Sequence, residues 1–206
     1  MSKIKLTKGE LKRQRDALKQ YLKYMPTLQL KKQQLQIEIL RQMSLLEDKR
    51  HSEEAKRIAS CVWSGLLASE PVIKLSEYLK PKEGVVSSKN IAGVDIPLFE
   101  RMDFPAAEYD LFLVPLWVDA AIEALRVLVE LRKEIEIIKE GIAILRQELR
   151  ITTQRVNLFE KVKIPEAEEA IRLIKIYIGD QMSNAVGRSK IAKRKIEQAA
   201  LEEVYV

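Results

Sequence analysis

Apolar residues recur at heptad spacing in two long blocks, and the stretch between them breaks the rhythm. In the first block, seven-residue steps give Leu11, Leu18, Met25, Lys32, Ile39 and Leu46, with a companion series Gln14, Tyr21, Leu28, Leu35, Gln42 and Lys49. Five of six positions are apolar in one series and three of six in the other, which reads as a coiled-coil seam with polar interruptions. Thr7 and Glu10 have the spacing of a capping box, hydroxyl to a free N–H and carboxylate reaching back. A helix is therefore predicted from there to about Ala68, ahead of Pro71, with a kink at Pro26, whose ring removes one backbone hydrogen bond. The second block is cleaner. Ala121, Leu128, Ile135, Ile142, Leu149 and Val156 run beside Ala124, Leu131, Ile138, Leu145, Thr152 and Phe159, and eleven of these twelve are apolar. A helix is predicted to begin between Pro115 and Asp119. Around Pro165 the phase slips by one residue, and the seam resumes as Ile164, Ile171, Ile178, Ala185 and Ala192, with Ala167 and Ile174 beside it. A slip at a proline is a local defect in an otherwise continuous helix.

Between the blocks the period changes to that of strands. Val85 to Ile91 and Val94 to Phe99 flank Ala92-Gly93, two β-rich runs around a two-residue, glycine-containing link, which predicts a hairpin. Pro97 restricts its strand to an edge or a bulge. A lone two-stranded hairpin is marginal in water, so it needs a helix or a partner to lean on.

These elements define an all-α chain: a long antiparallel two-helix coiled coil with a small mid-chain unit containing a β-hairpin. The first helix occupies residues 1–70, the middle unit, with a short helix and the hairpin, 71–115, and the second helix 116–206. At 1.5 Å per residue a helix from Thr7 to Ala68 spans roughly 90 Å. An antiparallel pair then brings both termini to one tip and places the hairpin at the other.

Composition agrees. Among 206 residues, 32% are charged and only seven are Gly and seven Pro, a profile of long helices rather than of a compact α/β enzyme. The net charge of +6 is uneven: residues 1–50 hold 13 basic and 5 acidic groups, and residues 51–110 hold 7 and 10. A basic helix suits nucleic acid, an anionic surface or an acidic protein bore, or is simply a solvated face. With 6% aromatics and no recognisable binding module, only the electrostatic part of a nucleic-acid reading has support. A generic structural coiled coil explains the heptads but not the hairpin.

Candidate chemistry is sparse. No Gly-Lys dipeptide and no Gly-x-Gly motif occur, so neither a phosphate loop nor a dinucleotide fingerprint is present. His51 stands in a charged helical segment, and Cys61 is the only cysteine, expected to pack as a small apolar residue in a reducing compartment. One His and one Cys do not make a zinc site. The carboxylates lie at helical spacing beside Lys and Arg, as in surface ion pairs. Trp63 and Trp117 are expected where the helices meet the middle unit, and Lys190 to Lys195 form an amphipathic helix end. No catalytic residue, cofactor or metal is expected. No signal peptide or apolar run of membrane-spanning length is visible; the longest, Leu111 to Val118, is too short. A cytoplasmic chain without membrane insertion is the expectation.

Two segments carry a resemblance. Thr152-Thr153-Gln154-Arg155-Val156-Asn157-Leu158-Phe159-Glu160-Lys161-Val162-Lys163-Ile164-Pro165 resembles the C-terminal signature of the D-subunit of V-type and archaeal-type rotary ATPases, in Arg155-Val156-Asn157, Glu160, Val162, Ile164 and Pro165. Gln154 replaces the first arginine of the usual pair, and Leu158-Phe159 replaces Ala-Leu. Asn90-Ile91-Ala92-Gly93-Val94-Asp95-Ile96-Pro97-Leu98-Phe99 is similar to that family's mid-chain hairpin. The first helix and the tail after Gly179 depart from the common pattern, as in a bacterial branch of the family. The resemblance implies a non-catalytic rotor shaft of the central stalk, transmitting torque between the catalytic hexamer and ion translocation. It implies as partners the catalytic A and B subunits, the F-subunit and the socket subunit above the membrane ring, and no nucleic acid. The chain would be cytoplasmic, peripheral to the membrane through the complex. On this reading Arg155, Asn157 and Glu160 are candidate hexamer contacts. Ile91, Val94, Ile96, Leu98 and Phe99 are candidate hairpin or partner contacts, and Leu128, Leu131, Ile135, Ile138, Ile142, Leu145, Leu149, Val156 and Phe159 form the seam.

Overall fold

A computed structural model describes residues 5–68, 78–108 and 115–204. In chain order the elements are helix α1 (Lys8–Cys61), a 3-10 turn (Ser64–Ala68), strands β1 (Glu83–Ile91) and β2 (Val94–Asp103), helix α2 (Trp117–Leu158), a π-helical turn (Phe159–Lys163) and helix α3 (Ile164–Val204). The fold class is the one the sequence implies: long helices with an antiparallel hairpin between them. The short helix expected after Pro71 falls mainly on residues outside those described.

At the start of α1 the Glu10 N–H donates to Thr7 Oγ1 at 3.3 Å. The other half of the expected capping box is not made. The Glu10 carboxylate turns along the helix, accepting from Gln14 Nε2 at 2.8 Å and pairing with Arg13 at 3.7 Å. The helix runs through Pro26, which lies on its exposed face. It ends at Cys61 rather than at Ala68, because the chain tightens there: Ser64 Oγ donates to the Cys61 carbonyl and the Leu66 N–H to the Trp63 carbonyl. All twelve seam positions predicted on α1 are buried or half-buried, from Leu11 through Lys49.

The chain divides into two compact units, Leu30–Thr152 and Met1–Gln29 with Thr153–Val206; they are called central and terminal below. In the central unit α1 and α2 run antiparallel. Lys31 pairs with Glu148 at 2.9 Å, Lys49 with Glu134 at 2.8 Å and Glu53 with Arg132 at 2.8 Å, so rising numbers meet falling ones. Leu35, Ile39, Leu128, Ile135, Ile138, Ile142 and Leu145 are buried, with Leu35 and Leu145 at 0% exposure.

The hairpin belongs to this unit. Ala92 (φ 52°) and Gly93 (φ 77°) both take left-handed backbone, the signature of a two-residue type I′ turn. Asn90 holds it closed: its Nδ2 donates to Asp95 Oδ1 at 2.6 Å, and its Oδ1 accepts from the Gly93 N–H at 3.1 Å. Pro97 opposes Ser88 within the ladder, and the irregularity lies instead at Val85/Val86, where Glu100 is the extra residue of β2. Val94 and Ile96 are buried in one cluster with Leu35, Ile39 and Leu145, and Ile91 and Ala92 pack against it. Gly141 makes room on α2: a Cβ there would lie 3.8 Å from Ile96 Cβ and 3.9 Å from the Pro97 oxygen. At the hairpin's base, Arg126 of α2 donates to the Tyr78 and Pro105 carbonyls at 3.3 and 2.6 Å, with its guanidinium over the Phe104 ring. From Arg126 to Leu145 is about 28 Å of helix, and a nine-residue strand is about 30 Å. The hairpin therefore lies back along the helices and its tip meets α1 at Leu35, far from Cys61. This corrects the expected location at the end of the pair: Val94 and Ile96 gain burial only by folding back onto the helices.

In the terminal unit Val156, Ala167, Ala170, Ile171 and Ile174 are buried, and the Tyr21 and Phe159 rings meet with centroids 5.4 Å apart. The one-residue slip in the heptads has a structural cause. Pro165 has no N–H for the Lys161 carbonyl, and the helix widens into a π turn in which the Ile164 N–H reaches the Phe159 oxygen, five residues back. The extra residue carries Ala167, Ile171 and Ile174 onto the same face as Val156. The predicted seam overreaches at its end. Ala185 and Ala192 are exposed, and from Lys175 to Ala199 only Ile178 is even half-buried.

Candidate interaction surfaces

Arg155 and Asn157 lie in the last turn of α2 and Glu160 in the π turn that follows. All three are exposed while Val156 between them is 4% exposed, as helical spacing beside a buried seam requires. Among the described residues none of the three forms an ion pair or a side-chain hydrogen bond. They do not brace the helix pair through side-chain hydrogen bonds or ion pairs.

The five hairpin candidates do not divide by strand alternation alone. Val94 and Ile96 are buried on the chain's own helices and Ile91 packs beside them, but Leu98, which alternation places on their face, is 44% exposed, while Phe99 on the other face is half-buried. Of the seam residues, Leu128, Ile135, Ile138, Ile142, Leu145 and Val156 are buried, and Leu131, Leu149 and Phe159 half-buried. Thr152, the one polar member of the second seam, is 2% exposed.

Arg126 escaped the sequence reading. It is one of several basic residues of α2 off the heptad positions, and only its contacts to Tyr78, Phe104 and Pro105 show that it anchors the base of the hairpin. No spacing rule would have marked it.

A second unforeseen surface lies in the central unit, lined by residues of α1 and α2. Met43 of α1 with Ile142 and Ala143 of α2 lines a groove, and Arg50, Lys139, Arg146 and the acidic Glu47 stand around it. Leu40 lines it as well, and leads into an apolar stripe with Ile37 and Leu30 at 67%, 67% and 55% exposure. The Arg146 guanidinium makes only a 3.5 Å contact to Met43 Sδ. Among the described residues none of the three cations forms an ion pair, although Lys139 acts at longer range on the Glu136 carboxylate, whereas Lys31, Lys49 and Arg132 of the same unit do form one.

Other charges are local helix pairs. Arg172 holds Glu169 in a two-point fork at 2.7 and 2.9 Å, and that hydrogen bonding lowers the Glu169 pKa and raises that of Arg172. Lys133 lowers the pKa of Glu136, and Glu54 raises that of Arg57, again chiefly by hydrogen bonding. His51 and Cys61 are exposed; the cysteine does not pack as the small apolar residue expected. Trp63 is half-buried and lines a cleft with Leu125, Leu128 and Val129 of α2. Trp117 is half-buried at the start of α2. Lys190 to Lys195 are exposed on α3. Among the described residues no group of three His, Cys, Asp or Glu side chains could hold a metal. Among the described residues no helix is long and apolar enough to cross a membrane.

Together these features define a coiled-coil protein with a hairpin docked on its side, built around surfaces. The sequence model of the ATP synthase D-subunit family matches residues 10–194, and the chain belongs to that family. It is 44% identical over 196 residues to the V-type ATP synthase D-subunit of Borreliella burgdorferi, covering 95% of this chain and 96% of that protein. It is 33% identical over 204 residues to the V-type ATP synthase D-subunit of Chlamydia muridarum (96% and 98% covered), and 34% identical over 198 residues to that of Chlamydia pneumoniae (94% and 93%).

Proposed function

We propose that the chain is the central-stalk rotor subunit of a V-type ATP synthase, a non-catalytic shaft that carries torque between the catalytic A and B subunits and ion translocation in the membrane. The observation that carries this reading is the buried heptad seam of a D-subunit family member, flanked by ion pairs that cross between the helices. A shaft must resist relative sliding of its strands under load, and knobs-into-holes packing with crossing ion pairs supplies that. Each flanking pair is worth only about 0.2–1 kcal/mol, so the seam bears most of the strength. Arg155, Asn157 and Glu160 fit contacts that are made and released as the shaft turns. They are polar and solvated, so each contact is weak and screened by salt. The socket subunit completes the rotor on the membrane side.

The test is direct rotation. The complex is assembled with a Cys61→Ser, Ser88→Cys chain, and a bead is attached to the exposed hairpin cysteine. ATP should drive stepwise turning of the bead; a complex that hydrolyses ATP with a stationary bead would overturn the reading. The same preparation tests Arg155→Ala with Asn157→Ala, for which slower turnover with intact assembly is expected.

A further inference from the structure

The π turn leaves a backbone acceptor open in the middle of a long helix. In an α-helix the Glu160 carbonyl would accept from the Ile164 N–H, but that N–H reaches the Phe159 oxygen instead. In the π pattern its donor would be residue 165, which is proline and has none. The Glu160 oxygen therefore has no donor of its own helix. Glu160 and Pro165 are both exposed, so the oxygen opens outward, while Phe159 beside it packs on Tyr21. Among the described residues the Glu160 carboxylate forms no ion pair or hydrogen bond either.

We infer that the Glu160 carbonyl and carboxylate together receive an arginine side chain of the A or B subunits as the shaft turns. Three features select a guanidinium. An ionised carboxylate and a carbonyl only accept, so the visitor must supply every hydrogen. The two oxygens belong to one residue, and a planar fork of five N–H groups can span them, where a lysine reaches the site as a point charge. An uncapped helix carbonyl also carries part of the negative end of the peptide dipoles, which basic side chains satisfy at helix C-termini. The chain's own cations leave the place vacant. Lys163 is engaged with Glu166 at 3.4 Å, and Lys161 makes no hydrogen bond or ion pair among the described residues. The inference rests on the rotor reading, and it adds the chemistry that the hexamer wall brings to Glu160. A single solvated fork is weak enough to be released within each turn.

The experiment uses the full chain with its F-subunit and the hexamer of A and B subunits from the same organism. The decisive variant is Pro165→Ala. With the π turn kept, the restored N–H at position 165 donates to the Glu160 oxygen and removes the open acceptor without changing any charge. Glu160→Gln does the reverse, removing the charge and leaving the carbonyl. Hexamer binding is titrated for both, and amide exchange shows whether position 165 is protected. The expected results are binding weakened about threefold by Pro165→Ala and about tenfold by Glu160→Gln. A photo-crosslinking residue at position 161 should mark a segment of A or B that contains an arginine. Replacing that arginine by alanine should abolish the effect of Pro165→Ala. The inference is overturned if Pro165→Ala binds as wild type with a protected amide at 165, or if the marked segment holds no arginine. If exchange shows instead that the turn has become α-helical, Glu160→Gln decides, and wild-type binding by that variant overturns the inference. A chain that binds the hexamer and ignores both substitutions leaves the rotor reading standing; a wild-type chain that never binds it removes both.

Discussion

The two units treat the same heptad seam differently. In the central unit the helix pair carries a third element, and the hairpin's Val94 and Ile96 close over Leu35, Ile39 and Leu145. In the terminal unit the pair carries nothing further among the described residues, and off-seam apolar side chains such as Leu22, Tyr24, Leu173 and Ile176 stay exposed. The difference teaches how to read such a chain. The hairpin covers heptad residues themselves, so a heptad position does not by itself tell a two-body seam from a three-body one. The local sign of the third element is Gly141, a helix-weakening residue where a strand approaches.

The largest effects should come from truncating one fully covered side chain in each unit. Leu145 and Ile174 are both at 0% exposure. Leu145→Ala leaves a cavity beneath the hairpin as well as in the seam, and should cost about 3–5 kcal/mol; Ile174→Ala lies where a two-helix pair can collapse, and should cost nearer 2 kcal/mol. Thermal or urea melts measure both, and equal losses would mean that the hairpin adds nothing to the central core.

Substitution at Gly141 sharpens the same contrast. The contacts a Cβ would meet, 3.8 and 3.9 Å away, are ordinary, so Gly141→Ala should be neutral or gain up to about 1 kcal/mol of helix propensity. Gly141→Leu drives into Ile96 and Pro97, and should cost about 1–3 kcal/mol by lifting the hairpin. Amide exchange in β1 and β2 should accelerate for Leu and not for Ala. Rapid exchange in both variants, or in neither, would break the assignment of Gly141 as the seat.

In the terminal unit the test is Pro165→Ala. Restoring the N–H permits an ordinary α-turn, but that turn would rotate Ala167, Ile171 and Ile174 off the seam by about 100°. The π turn should therefore persist, with stability changed by less than about 1 kcal/mol. The amide pattern of residues 159–166 reports the turn directly; its conversion to α would show that the proline, rather than the seam, sets the phase.

The smallest effect is electrostatic. Glu136 and Glu169 have lowered pKa values because Lys133 and Arg172 donate to their charged forms. Their folded values lie below the unfolded ones, so the stabilisation is fully present above the ordinary glutamate range and is lost as pH falls through the folded values. Both pairs are exposed, so the loss should be slight and should vanish in high salt. A steep acid transition abolished by Glu169→Gln would contradict this.

Much of this was legible before any coordinates. Seam positions, the Ala92-Gly93 turn and the one-residue slip at Pro165 follow from periodicity and turn chemistry, which are local. What was not legible is where local elements meet over long separations. The hairpin pattern calls for a surface without naming Leu35 and Leu145. Arg126 differs from any other surface arginine only by its partners. The seam past Ile178 keeps its heptad rhythm while its side chains stay exposed, because periodicity reports a stripe and not what covers it. The same limit hid the groove, whose cations lie on two helices nearly a hundred residues apart in sequence. Of the candidate contacts, Arg155 and Asn157 came from the family resemblance rather than from physical patterning, and the structure adds their exposure.

The bare stretch of α3 beyond Ile174 has a thermodynamic character of its own. As a separate peptide a segment of this length would be marginally helical, since a first turn must be ordered at a loss before later turns repay it. Here the buried turns ending at Ile174 act as a ready-made nucleus, and the segment only propagates it. Between Gly179 and Ala199 it can therefore unwind one turn at a time without uncovering a buried side chain. Its melting is a gradient rather than a transition, and the temperature at which it is half gone is set by whatever lies against its far end.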